Sequence, residues 1–185
     1  MNKPTILMLV TAGLAVNSLQ AGETYVSAKN PKNPPPMEVP SLCDCFDAGK
    51  VQVSLYGAGI IWDGGGNSDA LGAGLSVDYF FTENLGIAVD GTWLDTDSNV
   101  WHSSASLVFR WPIRPACLAP YVFAGGGVIT DSETDGTVHA GGGIDIRFGK
   151  SDWCPGIFAD ARYTWTNYEE GGDFALIRVG FRFNL

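Results

Sequence analysis

From Val51 to Leu185 the chain alternates, residue by residue, between two kinds of side chain. The final segment, Phe174–Leu185 (FALIRVGFRFNL), shows it most plainly. Ala175, Ile177, Val179, Phe181, Phe183 and Leu185 fall on one side, and Leu176, Arg178, Gly180, Arg182 and Asn184 on the other. A period of two marks an extended strand, whose successive side chains point to opposite faces. One apolar face and one polar face suit a half-buried strand in a soluble sheet. They suit equally a barrel strand in lipid, apolar outside and polar inside.

Seven segments of the same kind precede it, at about Val51–Trp62, Ala70–Phe81, Leu85–Leu94, Val100–Trp111, Ala119–Thr130, Thr137–Phe148 and Gly156–Thr166. Ala119–Thr130 is apolar on both faces; we place Tyr121, Phe123 and Ile129 outside and Val122, Ala124, Gly126 and Val128 on the other face. Short Gly-, Pro- or Asn-bearing stretches join the segments, and no helical periodicity interrupts them. Lipid offers no partners to free backbone groups, so strands that cross it must close on themselves. Eight tilted strands of about this length meet that requirement. The expected fold is all-β: an eight-stranded antiparallel up-and-down transmembrane β-barrel with a disordered Pro-rich N-terminal arm. A soluble lipocalin-like barrel would turn the same faces inside out.

Charge decides between the two. Charged residues make up 17% of the chain, against about 25% in ordinary soluble proteins. Within the strands, Asp78, Asp90, Arg110, Asp145, Arg147, Asp160, Arg162, Arg178 and Arg182 all fall on the polar phase. Charges in a membrane are costly and turn inward to pair. The bore of eight strands is just wide enough for side chains to fill it. These nine residues are therefore expected to form a salt-bridged plug, with a narrow ion path as the alternative.

The connections sort by sign as well. The loops after the first, third, fifth and seventh strands hold Asp63, Asp69, Asp95, Asp97, Asp131, Glu133, Asp135, Glu169, Glu170 and Asp173, with no Lys or Arg among them. The other end carries Lys50, Glu83, Arg114, Lys150 and Asp152. In such barrels the termini and short turns face the periplasm, so the acidic loops should face outside, towards lipid and lipopolysaccharide. Shared divalent cations are one use for such carboxylates; a solvated rim is the plainer one. Asp95-Thr96-Asp97 is too short for an EF-hand loop.

The first 21 residues read as an export signal: Lys3, an apolar Ile6–Val16 and a small-residue site at Leu19-Gln20-Ala21. Residues 22–49, with Pro31, Pro34, Pro35, Pro36 and Pro40, read as an extended periplasmic arm, and 50–185 as the barrel. Cleavage removes Lys3 and leaves 10 basic against 20 acidic residues, a balance that excludes nucleic acid as a partner. Disulfides persist in an exported chain. Cys43 and Cys45 lie in the arm, Cys117 and Cys154 in turns at the same end. Pairing Cys43 with Cys45 would be strained, so both are expected to bond to Cys117 and Cys154, in an order that stays open. A four-Cys zinc site is the weaker alternative.

The stretches Pro120–Gly127 (PYVFAGGG) and Ala140–Phe148 (AGGGIDIRF), with the aromatic C-terminal strand, resemble the small outer-membrane barrels of outer-membrane protein A and its relatives. The resemblance covers about Lys50–Leu185. It implies an integral barrel of the bacterial outer membrane, with a structural or surface-interaction role. It also implies that Phe181, Phe183 and Leu185 form part of a signal for the outer-membrane assembly machinery, with Leu185 where relatives usually end in Phe. A monomer is expected, with no cofactor and no metal.

His102-Ser103-Ser104 raises an enzyme reading, because a lipid A deacylase family of the same membrane uses a His-x-Ser pair with a Glu. Nucleophilic catalysis needs the serine activated by the histidine and the histidine oriented by an acid. No acid follows in that strand, and the pair falls on the inward face. His139 is likewise expected to be a polar lumen residue. Cell fractionation should therefore place the protein in the outer membrane, with mobility on SDS gels that changes on heating. A soluble, heat-indifferent product would remove the membrane reading.

Overall fold

The structure is a computed structural model that describes residues 43–63, 70–96, 100–130, 134–148, 152–166 and 172–185. The expected export signal, most of the arm, and Asp69, Asp97, Asp131, Glu133, Lys150, Glu169 and Glu170 lie outside these residues.

Eight antiparallel strands form a closed barrel in sequence order: β1 Val51–Asp63, β2 Ala70–Phe80, β3 Leu85–Asp95, β4 Val100–Arg110, β5 Leu118–Thr130, β6 Thr134–Arg147, β7 Gly156–Thr166 and β8 Asp173–Asn184. The seam joins β8 to β1, with partners running from Gln52 and Asn184 to Asp63 and Asp173. Every strand thus has two neighbours and no edge is left open. One end carries both ends of the barrel chain and the β2–β3, β4–β5 and β6–β7 turns; we call it the termini end. The other is the loop end.

Turn chemistry sets the termini end. Between β2 and β3, the Thr82 hydroxyl accepts from the backbone N–H of Asn84 (3.2 Å) and Leu85 (2.9 Å). The Asn84 side chain donates to Arg110 O (2.9 Å), tying this turn to β4. A short 3-10 turn, Arg114–Ala116, links β4 to β5 and ends in the left-handed region at Cys117 (φ 49°).

Outside, the wall is apolar. Leu55, Leu75, Val77, Val89, Leu107, Ile177 and Val179 cover its middle. Among described side chains, the outward phase bears charge only at Asp95 and Asp173, both at the loop end. Aromatic residues ring both borders. Tyr79, Phe81, Phe109, Trp111, Phe148 and Trp153 stand at the termini end, and Trp93, Trp101 and Trp165 at the loop end. β2 has 11 residues; at roughly 3.4 Å per residue and a tilt of about 40° such a strand stands about 26 Å tall, close to the ~25 Å apolar band of such barrels.

The inward phase follows the expected alternation in seven strands. β5 is the correction: Tyr121, Phe123 and Ile129 point inward, and Val122, Ala124 and Val128 face outward. Register with β4, which sets Arg110 against Tyr121 and Val108 against Phe123, fixes that phase. The Tyr121 hydroxyl then reaches Asp160 Oδ2 at 2.7 Å. Phe123 lies over Gly141, where an added Cβ would come within 2.7 Å of its ring. Lipid accepts the small outward face, whereas a buried phenol needs a partner.

Residues Cys43–Gly49 belong to the packed body rather than to a free arm: Cys43, Cys45 and Phe46 are fully buried with Ala119 and Cys154. Of the two expected disulfides the structure closes one, Cys45–Cys154, across 109 residues of chain. Cys43 and Cys117 share the same cluster with no disulfide between them. In the chain-entropy model, closing a loop of this length is worth roughly 4–5 kcal/mol.

Leu75, midway along β2 and exposed on the outside, provides a test. Leu75→Arg should destabilise the folded barrel in lipid by about 2–4 kcal/mol, read as a lower denaturant midpoint in bilayers. A change below about 0.5 kcal/mol would mean that this face is not in lipid.

Candidate functional site

Inside the barrel the nine charges fall into two groups and a singleton. The first group joins Asp90, Asp160, Arg162 and Arg178. Arg178 grips Asp160 with two parallel bonds (Nε to Oδ1, 2.8 Å; Nη2 to Oδ2, 3.0 Å) and reaches Asp90 with Nη1 (3.0 Å). Arg162 Nη1 donates to Asp90 Oδ1 (3.2 Å) and to Ser104 (3.0 Å). The second group joins Asp78, Asp145, Arg147 and Arg182. Arg147 binds Asp145 by its own fork (2.7 and 2.9 Å). Arg182 lies between Asp145 (3.3 Å) and Asp78 (3.2 Å) and donates to Ser54 (2.8 Å). Each group holds two acids and two bases, so each is formally neutral.

Arg110 stands apart. Among the described residues no carboxylate lies within ion-pair distance of it. Its Nε donates to Glu83 O (2.7 Å) and Nη2 to Phe46 O (2.9 Å), and its plane lies 3.5 Å above the Phe80 ring. Aromatic faces support other lumen arginines too: Arg182 lies over Phe158 (4.5 Å) and Arg178 over Tyr56 (5.2 Å). Such contacts strengthen where water is excluded.

Two apolar layers bracket the charges. At the loop end Ile60, Ala70, Leu94, Val100, Ile129, Phe174 and Leu176 turn inward and bury together. At the termini end Phe46 fills the mouth beneath Arg110 and Arg147. Between the layers, a space of about 20 Å³ lined by residues including Asp78, Asp90, Arg178 and Arg182 has room for about one water. Outside the span, hydrogen bonds to Glu83 and Asp47 raise the pKa of Arg114, whose Nη2 lies 2.9 and 3.1 Å from those carboxylates.

The candidate chemistry is arranged differently from the sequence pattern. Arg162 separates His102 from Ser104: Nη2 donates to His102 Nδ1 (3.0 Å) while Nη1 takes Ser104. An arginine can only donate, so His102 Nδ1 carries no proton, and Nε2 is engaged with Thr137 (3.2 Å). The serine–histidine contact that does form is Ser106 with His139 Nε2 (2.7 Å). Among the described residues His139 Nδ1 has no hydrogen-bond partner, and no acid orients that ring.

The profile of the outer membrane protein beta-barrel domain matches residues 46–184. The chain belongs to this family. It is a bacterial outer-membrane barrel by that membership, and solved barrels share its fold. Neisserial surface protein A is 16% identical, with 74% of this chain and 96% of that one covered and a TM-score of 0.57. OprG of Pseudomonas aeruginosa is 12% identical (75% and 97% covered, TM-score 0.55). The N-terminal barrel of OprF from the same organism is 19% identical (74% and 99% covered, TM-score 0.51). No curated protein matches the sequence.

Within this outer-membrane barrel, the nine predicted charges all face the lumen, and Phe181 and Leu185 are exposed on the outer wall with Phe183 half-buried beside them. Sequence reasoning missed the loop-end layer and the Phe46 stopper. The first had a signal: Ile60, Leu94, Phe174 and Leu176 occupy the inward phase. The second had none, since Phe46 precedes the alternation.

The ion pairs make a sharp prediction. Asp160→Leu leaves buried Arg178 with one carboxylate fewer and should lower stability by about 3–5 kcal/mol. Adding Arg178→Leu restores neutrality, with Asp90 still held by Arg162, and should recover most of that loss. Heat-modifiability midpoints of the single and double variants check this; strictly additive losses would show that the pair is not coupled.

Proposed function

We propose that this outer-membrane barrel is a closed, non-conducting platform, with its termini in the periplasm and its acidic loops at the cell surface, where they meet lipopolysaccharide and external partners. One observation carries the reading: the bore is filled along its length, by Phe46, two neutral ion-pair groups and an apolar layer in turn. Solute would have to displace all three. A narrow porin-like channel, the rival reading, needs a continuous wet path that such packing opposes.

Other observations support the rest. The termini end carries both ends of the barrel chain and the loop end the acids, which supports the periplasmic placing of the termini. Neisserial surface protein A, a surface protein by name, shares the fold. Phe181 and Phe183 on the last strand and Leu185 just after it lie together, where the assembly machinery would read them. A wall without edges needs no second copy to satisfy its backbone, which favours a monomer. Catalysis finds no support: the Ser106–His139 contact is buried in the bore, and His102 is committed to Arg162 and Thr137.

Purified protein in planar bilayers should give no steady conductance in 1 M-class salt solutions, at either polarity. A reproducible single-channel step would replace this reading with the channel.

A further inference from the structure

The segment Cys43–Gly49 sits in the mouth of the barrel, and its holds differ in kind. Phe46 is fully buried, its ring 5.3 Å from the Arg110 guanidinium and 5.8 Å from that of Arg147. Its carbonyl accepts from Arg110 Nη2, and the Cys45 carbonyl accepts from Asn184 Nδ2 at 3.3 Å. Gly49 N donates to Phe80 O (2.8 Å) at the start of β1. Arg114 pairs with Asp47 (3.1 Å) and more distantly with Asp44 (3.9 Å), in partly exposed contacts. Exposed pairs of that sort contribute little. The Cys45–Cys154 bond is the covalent hold.

Beneath the stopper lies the lumen cation without a carboxylate among the described residues. Arg110 is buried, and its Nη1 has no hydrogen-bond partner among the described residues. A buried, incompletely satisfied guanidinium gains solvation when it is uncovered. Uncovering Arg110 would free Nη1 to water but cost its bond to the Phe46 carbonyl, so the two effects oppose each other and leave the covalent bond as the firm hold. Cys154 is well placed to provide it. It stands in the turn leading into β7, in the left-handed region (φ 39°), and its carbonyl is fixed by Arg147 Nη1 at 2.8 Å.

We propose that Cys45–Cys154 is a redox latch on the Phe46 stopper. A dithiol reductant breaks the S–S bond, takes two electrons' worth of oxidation as its own disulfide and leaves two protein thiols. Cys43–Gly49 then withdraws and presents Arg110 to the solution at the termini end. Exchange with a small-molecule disulfide, which is reduced to its thiols as the Cys45–Cys154 bond re-forms, reseats it. The latch goes beyond the closed-platform reading and does not depend on it. The layer of Ile60, Leu94, Phe174 and Leu176 lies at the opposite end and stays in place, so an unlatched barrel has an open mouth and still no pore.

The test uses the full-length protein, folded and oxidised in detergent micelles, before and after treatment with dithiothreitol and iodoacetamide. Hydrogen–deuterium exchange of the Cys43–Gly49 peptide should accelerate roughly ten-fold or more on reduction, with β1 and β8 unchanged, as local opening without unfolding requires. Phe46→Ala with the bond intact should leave the peptide's exchange within about three-fold of the parent. Unchanged exchange after reduction overturns the latch. So does acceleration shared by the strands, and so does release of the segment by Phe46→Ala alone. Conductance recordings on the reduced protein fail or hold independently of these outcomes.

Discussion

The β1–β8 seam is the constraint from which the rest follows. Hydrocarbon leaves every unpaired N–H and C=O unsatisfied, so the sheet must return to its first strand, and it does so over the whole length from Gln52 to Asp63. Once eight strands close, the radius is set and the bore is narrow. Alternation then divides the side chains without compromise: one phase meets lipid, the other meets the opposite wall. An inward charge has no water to retreat to and must find partners inside the bore, along its own strand, on the next one or across it. Arg178 of β8 thus reaches Asp90 of β3, a residue 88 positions earlier.

That geometry explains why the interior resembles a plug more than a channel. Two-acid, two-base groups leave no net charge in either. Forked Arg–carboxylate contacts at Asp145 and Asp160 place several bonds on each ion, which is what makes burial of a pair tolerable. Aromatic rings fill the gaps between guanidinium planes. Gly74 and Gly180 make room for one of them: an added Cβ would lie 2.5 Å from the Tyr56 ring at Gly74 and 2.6 Å from the Tyr56 Cβ at Gly180. The apolar layer at the loop end keeps water from the charges on one side, and the Phe46 stopper does so on the other.

Where the sequence misled, it did so for identifiable reasons. β5 is apolar on both faces, and a barrel in lipid tolerates either phase by hydrophobicity alone. The deciding terms were the register with β4 and the hydrogen bond from Tyr121 to Asp160, both long-range. Cys43–Gly49 carries turn-like, Pro-flanked sequence with one large apolar residue, so nothing local distinguishes a stopper from a tether. The cysteine partners could be narrowed to one end of the barrel but not ordered, since four thiols there are all within reach of a flexible arm. His102 is the lumen residue that the sequence implied, and what stayed hidden is Arg162 of β7, inserted as a donor between His102 and Ser104 of β4.

By itself the sequence determined the number of strands, their approximate bounds, the face of seven of them, the nine inward charges and the cysteine-bearing end. All of these follow from period two and from the exclusion of charge from lipid, which act residue by residue and need no partner. Only the tertiary structure decided which acid meets which base, which phase β5 takes, that Cys45 bonds to Cys154, and that Phe46 closes the mouth. Those depend on the register and radius of the closed wall, which set distances across the bore that no local pattern encodes.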